Sequence, residues 1–247
     1  MKNIEHITDL CVIGGGMAGI CTAISAARHG IKVVLVQDRG VLGGNASSEI
    51  RMWICGAHGK DNRETGIIEE IMLENFFQNP QLSYSLWDMV LFDKTARQDN
   101  LTLLLNTSCL DANTENGKII SITAWQSPCE TVHTIKARYF ADCSGDSILS
   151  TLTGAHFRYG REAESEFGES IEPKTADKKT MGMSCLFQVR ETDKPQKFTP
   201  PEWAYKYCTD DDIPFREHDL SSNFWWIETG GEGDCIHDTD KCRDELL

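Results

Sequence analysis

The sequence predicts an α/β fold, in which a parallel sheet flanked by helices is interrupted by an inserted β-meander, followed by the start of a second region. Two observations carry this prediction: a strand-turn-helix-strand pattern over residues 10–38, and a change from helical to alternating strand patterns after Leu101. A chain of 247 residues is long enough for one large domain or somewhat more. We expect a first domain over residues 1–160 and an incomplete second region over residues 161–247.

The strand-turn-helix-strand pattern begins with an apolar run, Leu10–Ile13, that is typical of a buried strand. A helix is predicted from Met17 to His29, because its residues are small and apolar and Gly30 follows as a stop signal. The β-branched run Lys32–Val36 then predicts the second strand.

Three glycines, Gly14, Gly16 and Gly19, join the first strand to the helix with the spacing G-x-G-x-x-G. The first permits a tight turn, the second lets the backbone approach a pyrophosphate, and the third lets helix and strand pack closely. The free N–H groups of the first helical turn, which includes Met17 and Ala18, favour a diphosphate. The strand before the motif and the helix after it predict a Rossmann-like dinucleotide-binding fold.

The end of the second strand departs from this motif. Gln37 stands where an acidic residue usually binds ribose hydroxyls, and Asp38 follows it. A glutamine amide can accept a hydrogen bond from one hydroxyl and donate to another. We therefore expect a ribose site of reduced affinity at Gln37 and Asp38.

The segment Val41–Ser48 has the glycine-rich, polar composition of a turn. It leaves the carboxyl end of a predicted parallel strand, where ligands bind, and its small residues let a cofactor lie against the backbone. Its candidate cofactor contacts are Gly43, Gly44, Asn45, Ala46 and Ser47. A plain surface loop is the alternative.

The apolar segment that follows, residues 49–59, carries three groups suited to chemistry beside a cofactor. Arg51 could hold a substrate carboxylate or stabilise an anionic reduced cofactor, His58 could transfer protons near neutral pH, and Cys55 could act as a thiol. The alternatives are an ion pair between Arg51 and Glu49 or another carboxylate, a loop histidine and a filler thiol. Arg51 and His58 are the candidate catalytic residues.

Two helices and the meander come next. Patterns similar to capping boxes at Asp61 and Ser85 predict helices that run to Phe77 and towards Gln98. The alternating strand pattern then occurs in Leu101–Leu105, Ser108–Ala112, Lys118–Trp125 and Thr131–Ile135. We expect these strands to form a meander inserted between the two halves of the sheet.

A last short strand, Tyr139–Ala141, leads into Asp142 and then Asp146. A carboxylate here can bind sugar or ribityl hydroxyls at the same sheet edge as the first glycine turn. We expect Asp146 to do so in preference to Asp142.

The remaining chain gives weaker patterns. Residues 161–180 have the composition of a linker. Met181–Val189 and Ser222–Gly233 are predicted strands, the second entering a glycine loop, and Asp238–Leu247 is predicted to start a helix.

Composition argues against several classes of partner and site. With 24 basic and 38 acidic residues, the chain is poorly suited to nucleic acid or an anionic membrane. It has no long apolar stretch and no apolar N-terminal segment, so we expect a cytoplasmic protein. The ten cysteines form no C-x-x-C pair, which favours free thiols, and Cys235, His237 and Cys242 lack zinc-site spacing, so we expect no metal.

Three motifs occur in order along the chain. They are Val-Ile-Gly-Gly-Gly-Met-Ala-Gly, Gln-Asp-Arg-Gly-Val-Leu-Gly-Gly-Asn-Ala-Ser-Ser-Glu-Ile-Arg and Ala-Asp-Cys-Ser-Gly-Asp. Together they resemble the bacterial FAD-dependent oxidoreductases with a glutathione-reductase-like FAD domain, over residues 8–155. The resemblance implies that Gly14, Gly16 and Gly19 hold the FAD diphosphate, that residues 43–47 line the diphosphate and ribityl chain, and that Asp146 lies near the phosphate or ribityl group.

The resemblance also implies an activity, in which the flavin takes a hydride from a small organic substrate. Members of this family run well beyond this length, and their C-terminal part closes over the flavin, whereas this chain ends within a helical pattern. We therefore expect an N-terminal fragment, a truncated product or a divergent short form. Among enzymes, the alternative is a nicotinamide-dependent enzyme, which the second and third motifs disfavour. The alternative that is not an enzyme is a non-catalytic nucleotide-binding or partner-binding module.

Overall fold

The computed structural model describes residues 1–57, 59–184, 192–212, 229–231 and 233–246. They form two compact units, Met1–Phe157 and Arg158–Leu247. The strands of the first unit are β1 (Lys2–Ile13), β2 (Val33–Val36), β3 (Leu101–Leu104), β4 (Thr107–Glu115), β5 (Lys118–Gln126) and β6 (Thr131–Asp142). Its helices are α1 (Met17–Arg28), α2 (Gly66–Gln78), α3 (Tyr84–Ala96) and α4 (Ile148–Thr153). The second unit contains α5 (Glu164–Phe167) and α6 (Thr239–Leu246).

The six strands form one sheet in the order β3-β2-β1-β6-β5-β4. β1 pairs in parallel with β2 and β6, and β2 pairs in parallel with β3. β5 pairs antiparallel with both β4 and β6, so the meander continues the parallel sheet at one side. The predicted α/β fold, Rossmann-like with an inserted meander, is confirmed. The meander is smaller than predicted, because Leu101–Leu104, expected as its first strand, is β3 and pairs in parallel with β2 at the opposite edge of the sheet.

Two strands that the sequence predicts as separate, Thr131–Ile135 and Tyr139–Ala141, are one strand, β6. The separation is wrong because Lys136 interrupts the apolar pattern without interrupting the pairing. Its ammonium lies 2.7 Å from the carboxylate of Glu5 on β1, and β6 stays paired with β1 along its length. The meander therefore ends in the same strand that reaches the parallel edge.

Apolar clusters cover both faces of the sheet around β1. On one face, Ile20 and Ile24 of α1 pack with Val12 and Leu35, and on the other, Cys11 and Ile13 pack with residues of β5 and β6. Burying a side chain of this size stabilises the fold by about 1.5–3 kcal/mol. Burial on both faces explains why the ends of β1 and β2 are continuously apolar in sequence.

The predicted capping boxes are wrong. α2 begins at Gly66, not near Asp61, and neither α2 nor α3 has a side-chain hydrogen bond at its N-cap. The turn between the two helices is held instead by Asn79, whose Oδ1 accepts from the Ser83 N–H at 2.7 Å and whose Nδ2 donates to the Ser83 carbonyl at 2.8 Å.

In the second unit, the segment predicted as a linker is a folded loop. Arg161 and Asp177 exchange two backbone hydrogen bonds of 3.0 Å each, and their side chains form an ion pair. Met183 and Thr229 form an isolated β-bridge, while residues 185–189, 222–228 and 232 of the two strands predicted there lie outside the described residues. The helix predicted at the end of the chain is confirmed as α6.

Among the described helices, none combines the length and hydropathy needed to cross a membrane.

Candidate cofactor site

Three loops meet at the carboxyl ends of β1, β2 and β6. We call residues 14–19, 37–48 and 142–147 the loop junction. Backbone hydrogen bonds hold it together: the Gly14 N–H donates to Val36 O at 2.8 Å, the Cys143 N–H to Ile13 O at 2.7 Å, and the Gly43 N–H to Gly15 O at 2.8 Å. Because β1 connects through α1 to β2 on one side and borders β6 on the other, this edge is a topological switch point, where open α/β sheets bind ligands.

Two glycines of the first loop are required by packing. Gly14 has φ of +100°, and a β-carbon there would overlap the Cys143 carbonyl of the β6 loop. A β-carbon on Gly19 would overlap the carbonyl oxygen of Gly14. These residues let α1 and the β6 loop lie directly against the turn.

Gly16 differs from both, because a β-carbon there would meet nothing closer than the Gly44 α-carbon at 3.9 Å. Gly16 is the N-cap of α1, with no side-chain cap and no acidic residue in the first turn. The first N–H groups of a helix have no partner within the helix. Gly16, with Met17 and the exposed Ala18, therefore leaves an open, electropositive backbone suited to an anion.

The second loop is held in place by α3. Its Gly43 and Gly44 have φ of +108° and +58°, and Gly43 forms a parallel bridge with Gly16. The Trp87 indole N–H donates to the Ala46 carbonyl at 2.7 Å, and Asp88 Oδ1 accepts from the Ser48 N–H at 3.0 Å. The sequence analysis predicted neither of these positioning roles.

The candidate contacts of the second loop fall into two groups. Gly44 is half-buried and Asn45 exposed, so both present atoms outside the core. Ala46 and Ser47 are buried, and the Ser47 hydroxyl accepts from the Glu49 N–H at 3.3 Å. The Ser47 side chain thus shapes the loop from within.

The amide of Gln37 is used inside the protein. The side chain is buried, its Oε1 accepts from the Gly15 N–H at 2.6 Å, and its Nε2 donates to Val41 O at 3.0 Å. Gln37 thereby joins the first loop to the second. The interpretation of this amide as one free to bind two ribose hydroxyls is corrected, while Asp38 beside it is exposed.

In the third loop the two carboxylates have different environments. Asp142 accepts hydrogen bonds from the Ser144 N–H at 3.0 Å, the Ser144 hydroxyl at 2.6 Å and the Leu149 N–H at 2.8 Å, so it fixes the turn into α4. Asp146 follows Gly145, which has φ of +83°, and its side chain is exposed. Both residues are exposed, but the Asp142 carboxylate is already engaged in the turn; ligand binding by Asp146 stays a prediction.

Arg51 lies just beyond the second loop in a left-handed conformation, with φ of +62°. Its Nε donates to Ser48 O at 3.0 Å, and its guanidinium carbon lies 5.3 Å from the centre of the Tyr84 ring. Glu49, the partner considered from sequence, lies 3.4 Å from Arg39 instead. The second candidate catalytic residue, His58, lies outside the described residues.

Comparisons with known proteins identify the family of the chain. The family model described as FAD dependent oxidoreductase matches residues 9–233. A glycerol-3-phosphate dehydrogenase of Mycobacterium leprae is 36% identical over 66 residues, which are 27% of this chain and 11% of that protein. A glutathione reductase of Schizosaccharomyces pombe is 48% identical over 44 residues, which are 18% of this chain and 10% of that protein.

A solved structure of THI4 from Thermovibrio ammonificans aligns with a TM-score of 0.43 and 16% identity, over 69% of this chain and 76% of that one. The chain spans about a tenth of the length of the curated relatives described above. The family model, in contrast, matches most of the chain. The chain therefore belongs to the FAD dependent oxidoreductase family, whose cofactor is FAD.

Proposed function

We propose that the loop junction holds FAD and that the protein is an oxidoreductase that transfers a hydride between a small organic substrate and the flavin. The observation that supports this most strongly is the open backbone at Gly16, where the uncapped start of α1 faces the glycine loop after β2. When bound, the flavin ring supplies the hydride acceptor or donor. The protein supplies binding, orientation and charge.

Each loop contributes a different part of the binding. The N–H groups of Met17 and Ala18 donate to the diphosphate, and the α1 dipole favours its negative charge. Gly16 and Gly44 let the diphosphate lie against bare backbone. Asp146 accepts from ribityl hydroxyls. Asp38, the exposed carboxylate that follows Gln37 in the chain, accepts from the ribose hydroxyls, because the Gln37 amide is engaged within the protein.

Arg51 contributes a permanent positive charge beside this site. Its contacts with Ser48 and the Tyr84 ring hold the guanidinium in place. There it binds a substrate carboxylate or phosphate, or stabilises negative charge on the reduced cofactor. His58 transfers the substrate proton in this proposal, since imidazole titrates near neutral pH.

Binding is tested by purifying the chain, recording its visible absorption and titrating it with FAD. A flavin bound by the protein gives bands near about 370 and 450 nm. Gly16→Ala is the informative variant, because φ of −66° suits alanine and the added methyl meets no protein atom within 3.8 Å. We expect the FAD affinity of Gly16→Ala to fall at least about tenfold, or about 1.4 kcal/mol, with an unchanged unfolding midpoint in the absence of FAD.

Gly233→Ala is the matched control, since Gly233 lies outside the loop junction and its added methyl makes only ordinary contacts, with the Gly230 carbonyl at 3.6 Å and the Asp238 carboxylate at 3.8 Å. It should bind FAD as the wild type does. Wild-type FAD affinity in Gly16→Ala would place the diphosphate elsewhere and contradict the proposed site.

Catalysis is tested by anaerobic mixing of the FAD-loaded protein with small anionic donors, such as 2-hydroxy acids and glycerol 3-phosphate. Loss of absorption near about 450 nm reports flavin reduction. If Arg51 holds the donor's anionic group, Arg51→Gln should slow the reduction at least about tenfold, and Arg51→Lys should retain part of it. Tightly bound FAD that no donor reduces would favour a non-catalytic nucleotide-binding module.

A further inference from the structure

We propose that Cys235 and Cys242, in the second unit, form a reversible intramolecular disulfide when the protein meets a low-molecular-weight disulfide such as oxidised glutathione. This modification site is separate in function from the loop junction.

The two sulfurs converge on one point of the backbone. A β-carbon built on Gly230 would lie 2.5 Å from Cys242 Sγ and 3.1 Å from Cys235 Sγ. The Cys235 thiol also donates to the Gly230 carbonyl at 3.0 Å. Gly230, with φ of +76°, therefore leaves the space in which the two thiols meet.

The backbone around the pair is tied together by hydrogen bonds that do not involve sulfur. The Thr229 hydroxyl donates to Cys242 O at 3.0 Å, the Thr239 hydroxyl donates to Cys235 O at 2.6 Å, and the Cys242 N–H donates to Asp238 O at 2.9 Å. The turn that carries Cys235 is thus fixed to the helix that carries Cys242. The two sulfurs are thus held beside the same glycine by a tied backbone, and disulfide formation depends on such preorganised geometry.

The two thiols differ in access. Cys242 is only 4% exposed, whereas Cys235 is half-buried and can be reached by a small oxidant. Burial raises the pKa of the Cys235 thiol, and the neighbouring Cys242, Asp234 and Asp238 raise it further. Because the thiolate is the nucleophile, the reaction is expected to be faster above neutral pH.

The chemistry proceeds in two balanced exchanges. The Cys235 thiolate attacks one sulfur of oxidised glutathione, breaks its S–S bond and releases one glutathione thiolate. The Cys242 thiolate then attacks Cys235 Sγ, forms the protein disulfide and displaces the second glutathione thiolate. Two protein thiols are oxidised, one molecule of oxidised glutathione is reduced, and the two thiol protons end on the two released glutathiones.

The experiment is a timed incubation of the full chain with oxidised glutathione, followed by alkylation of the remaining thiols, trypsin digestion and mass spectrometry. Cleavage after Lys241 separates the two cysteines, so their disulfide joins two peptides. Cys208 is the internal control, since it is exposed and outside this pair. We expect a persistent glutathione adduct on Cys208 and a cross-link between Cys235 and Cys242, both reversed by a reducing agent.

Cys242→Ser and Cys242→Ala should each trap the glutathione adduct on Cys235, because the resolving thiol is missing. A stable adduct on Cys235 in the wild type would overturn the proposal. So would full alkylation of both cysteines after Cys208 has been completely modified.

Discussion

The two ends of strands β1 and β6 are joined in different ways. At the carboxyl end, the loops contact each other through backbone atoms, such as the Gly43 N–H with Gly15 O. In the amino-terminal half, the same two strands are joined by side chains: His6 Nε2 lies 2.9 Å from His133 Nδ1, and His133 Nε2 lies 3.1 Å from Gln126 Oε1 on β5. The carboxyl end leaves backbone N–H groups open to a ligand, whereas in the amino-terminal half these polar side chains pair with one another.

This difference separates residues that leave space for a ligand from residues whose side-chain hydrogen bonds hold the strands and loops together. We call the second group the frame. A ligand site needs space and unpaired donors, which glycine and a helix start provide. A frame needs side chains whose polar atoms are already paired, because unpaired buried polar groups are costly. The two kinds of residue occur side by side at the loop junction, so substitutions there should divide into those that affect binding and those that affect folding.

The largest effect is expected for Gly19→Ala. Helix propensity alone predicts a gain of about 1 kcal/mol from alanine in a helix. The new methyl would instead overlap the Gly14 carbonyl oxygen, which forces α1 away from the turn. We expect a loss of about 3 kcal/mol in the free energy of unfolding, measured by urea denaturation without FAD. A gain in stability would show that the close packing of α1 on this turn is not required.

The next effect concerns Gln37, the side chain at the junction that belongs to the frame. Gln37→Met keeps the volume but leaves the Gly15 N–H and the Val41 carbonyl without their partners, at a cost of about 1–3 kcal/mol. Gln37→Glu keeps an acceptor for Gly15 but faces the Val41 carbonyl with a carboxylate, so it should also destabilise. Tighter FAD binding by Gln37→Glu at unchanged stability would restore the ribose role expected from sequence.

The sequence predicts the loop junction better than the frame that holds it. The glycine motif is recognisable in the sequence because the spacing of Gly14, Gly16 and Gly19 reflects local backbone geometry. In the structure, a side chain at Gly14 or Gly19 would overlap neighbouring backbone, and Gly16 leaves the start of α1 open. The partners of Gln37, Trp87 and Asp88 are not recognisable in this way. Their bonds join segments that are distant along the chain, and no periodicity reports such contacts.

The same distinction explains the mistaken strand boundary. Lys136 breaks an apolar pattern, but a strand is continued by backbone pairing with its neighbour, which a charged side chain at an exposed position does not interrupt. The register of β6 against β1 follows from the whole sheet. It could not be predicted from the five-residue run Thr131–Ile135 alone.

A smaller effect is expected at the amino-terminal half of the sheet, on acidification. Burial lowers the pKa of His6, and burial with the charges of His6 and Lys2 lowers the pKa of His133. Both groups take up protons more readily in the unfolded chain, so their contribution to stability is complete above the ordinary value of 6.5 and is lost as the pH falls through their lowered values.

We therefore expect His133→Gln to have a flatter dependence of unfolding free energy on pH between about 7 and 5 than the wild type. His29→Gln is the control, because His29 is exposed at the end of α1 and outside this pair. If the unfolding free energies of His133→Gln and the wild type depended on pH in the same way, the His6–His133 pair would not contribute to the pH dependence of stability.

The smallest effect is expected where exposed charges join the helices. Glu70 of α2 lies 2.7 Å from Arg28 of α1 and 2.8 Å from Lys94 of α3, and these hydrogen bonds lower the pKa of Glu70 to about 2. Its contribution is therefore present above the ordinary carboxyl value of 4.5 and is lost as the pH falls through about 2. Because all three side chains are partly exposed, solvent screens the network, and Glu70→Gln should cost about 1 kcal/mol or less at neutral pH.

Glu69→Gln provides the comparison, since Glu69 lies 3.3 Å from one partner, the largely exposed Arg63. The loss in Glu70→Gln should exceed that in Glu69→Gln at low salt, and the two should converge at about 1 M salt, where exposed charges are screened within about 3 Å. A loss in Glu70→Gln that survives high salt would mean that the helices are held together here by hydrogen-bond geometry rather than by charge. The three helices would then be joined, like the amino-terminal half of β1 and β6, by polar groups that pair with one another. The loop junction would differ from both in leaving backbone N–H groups open to a ligand.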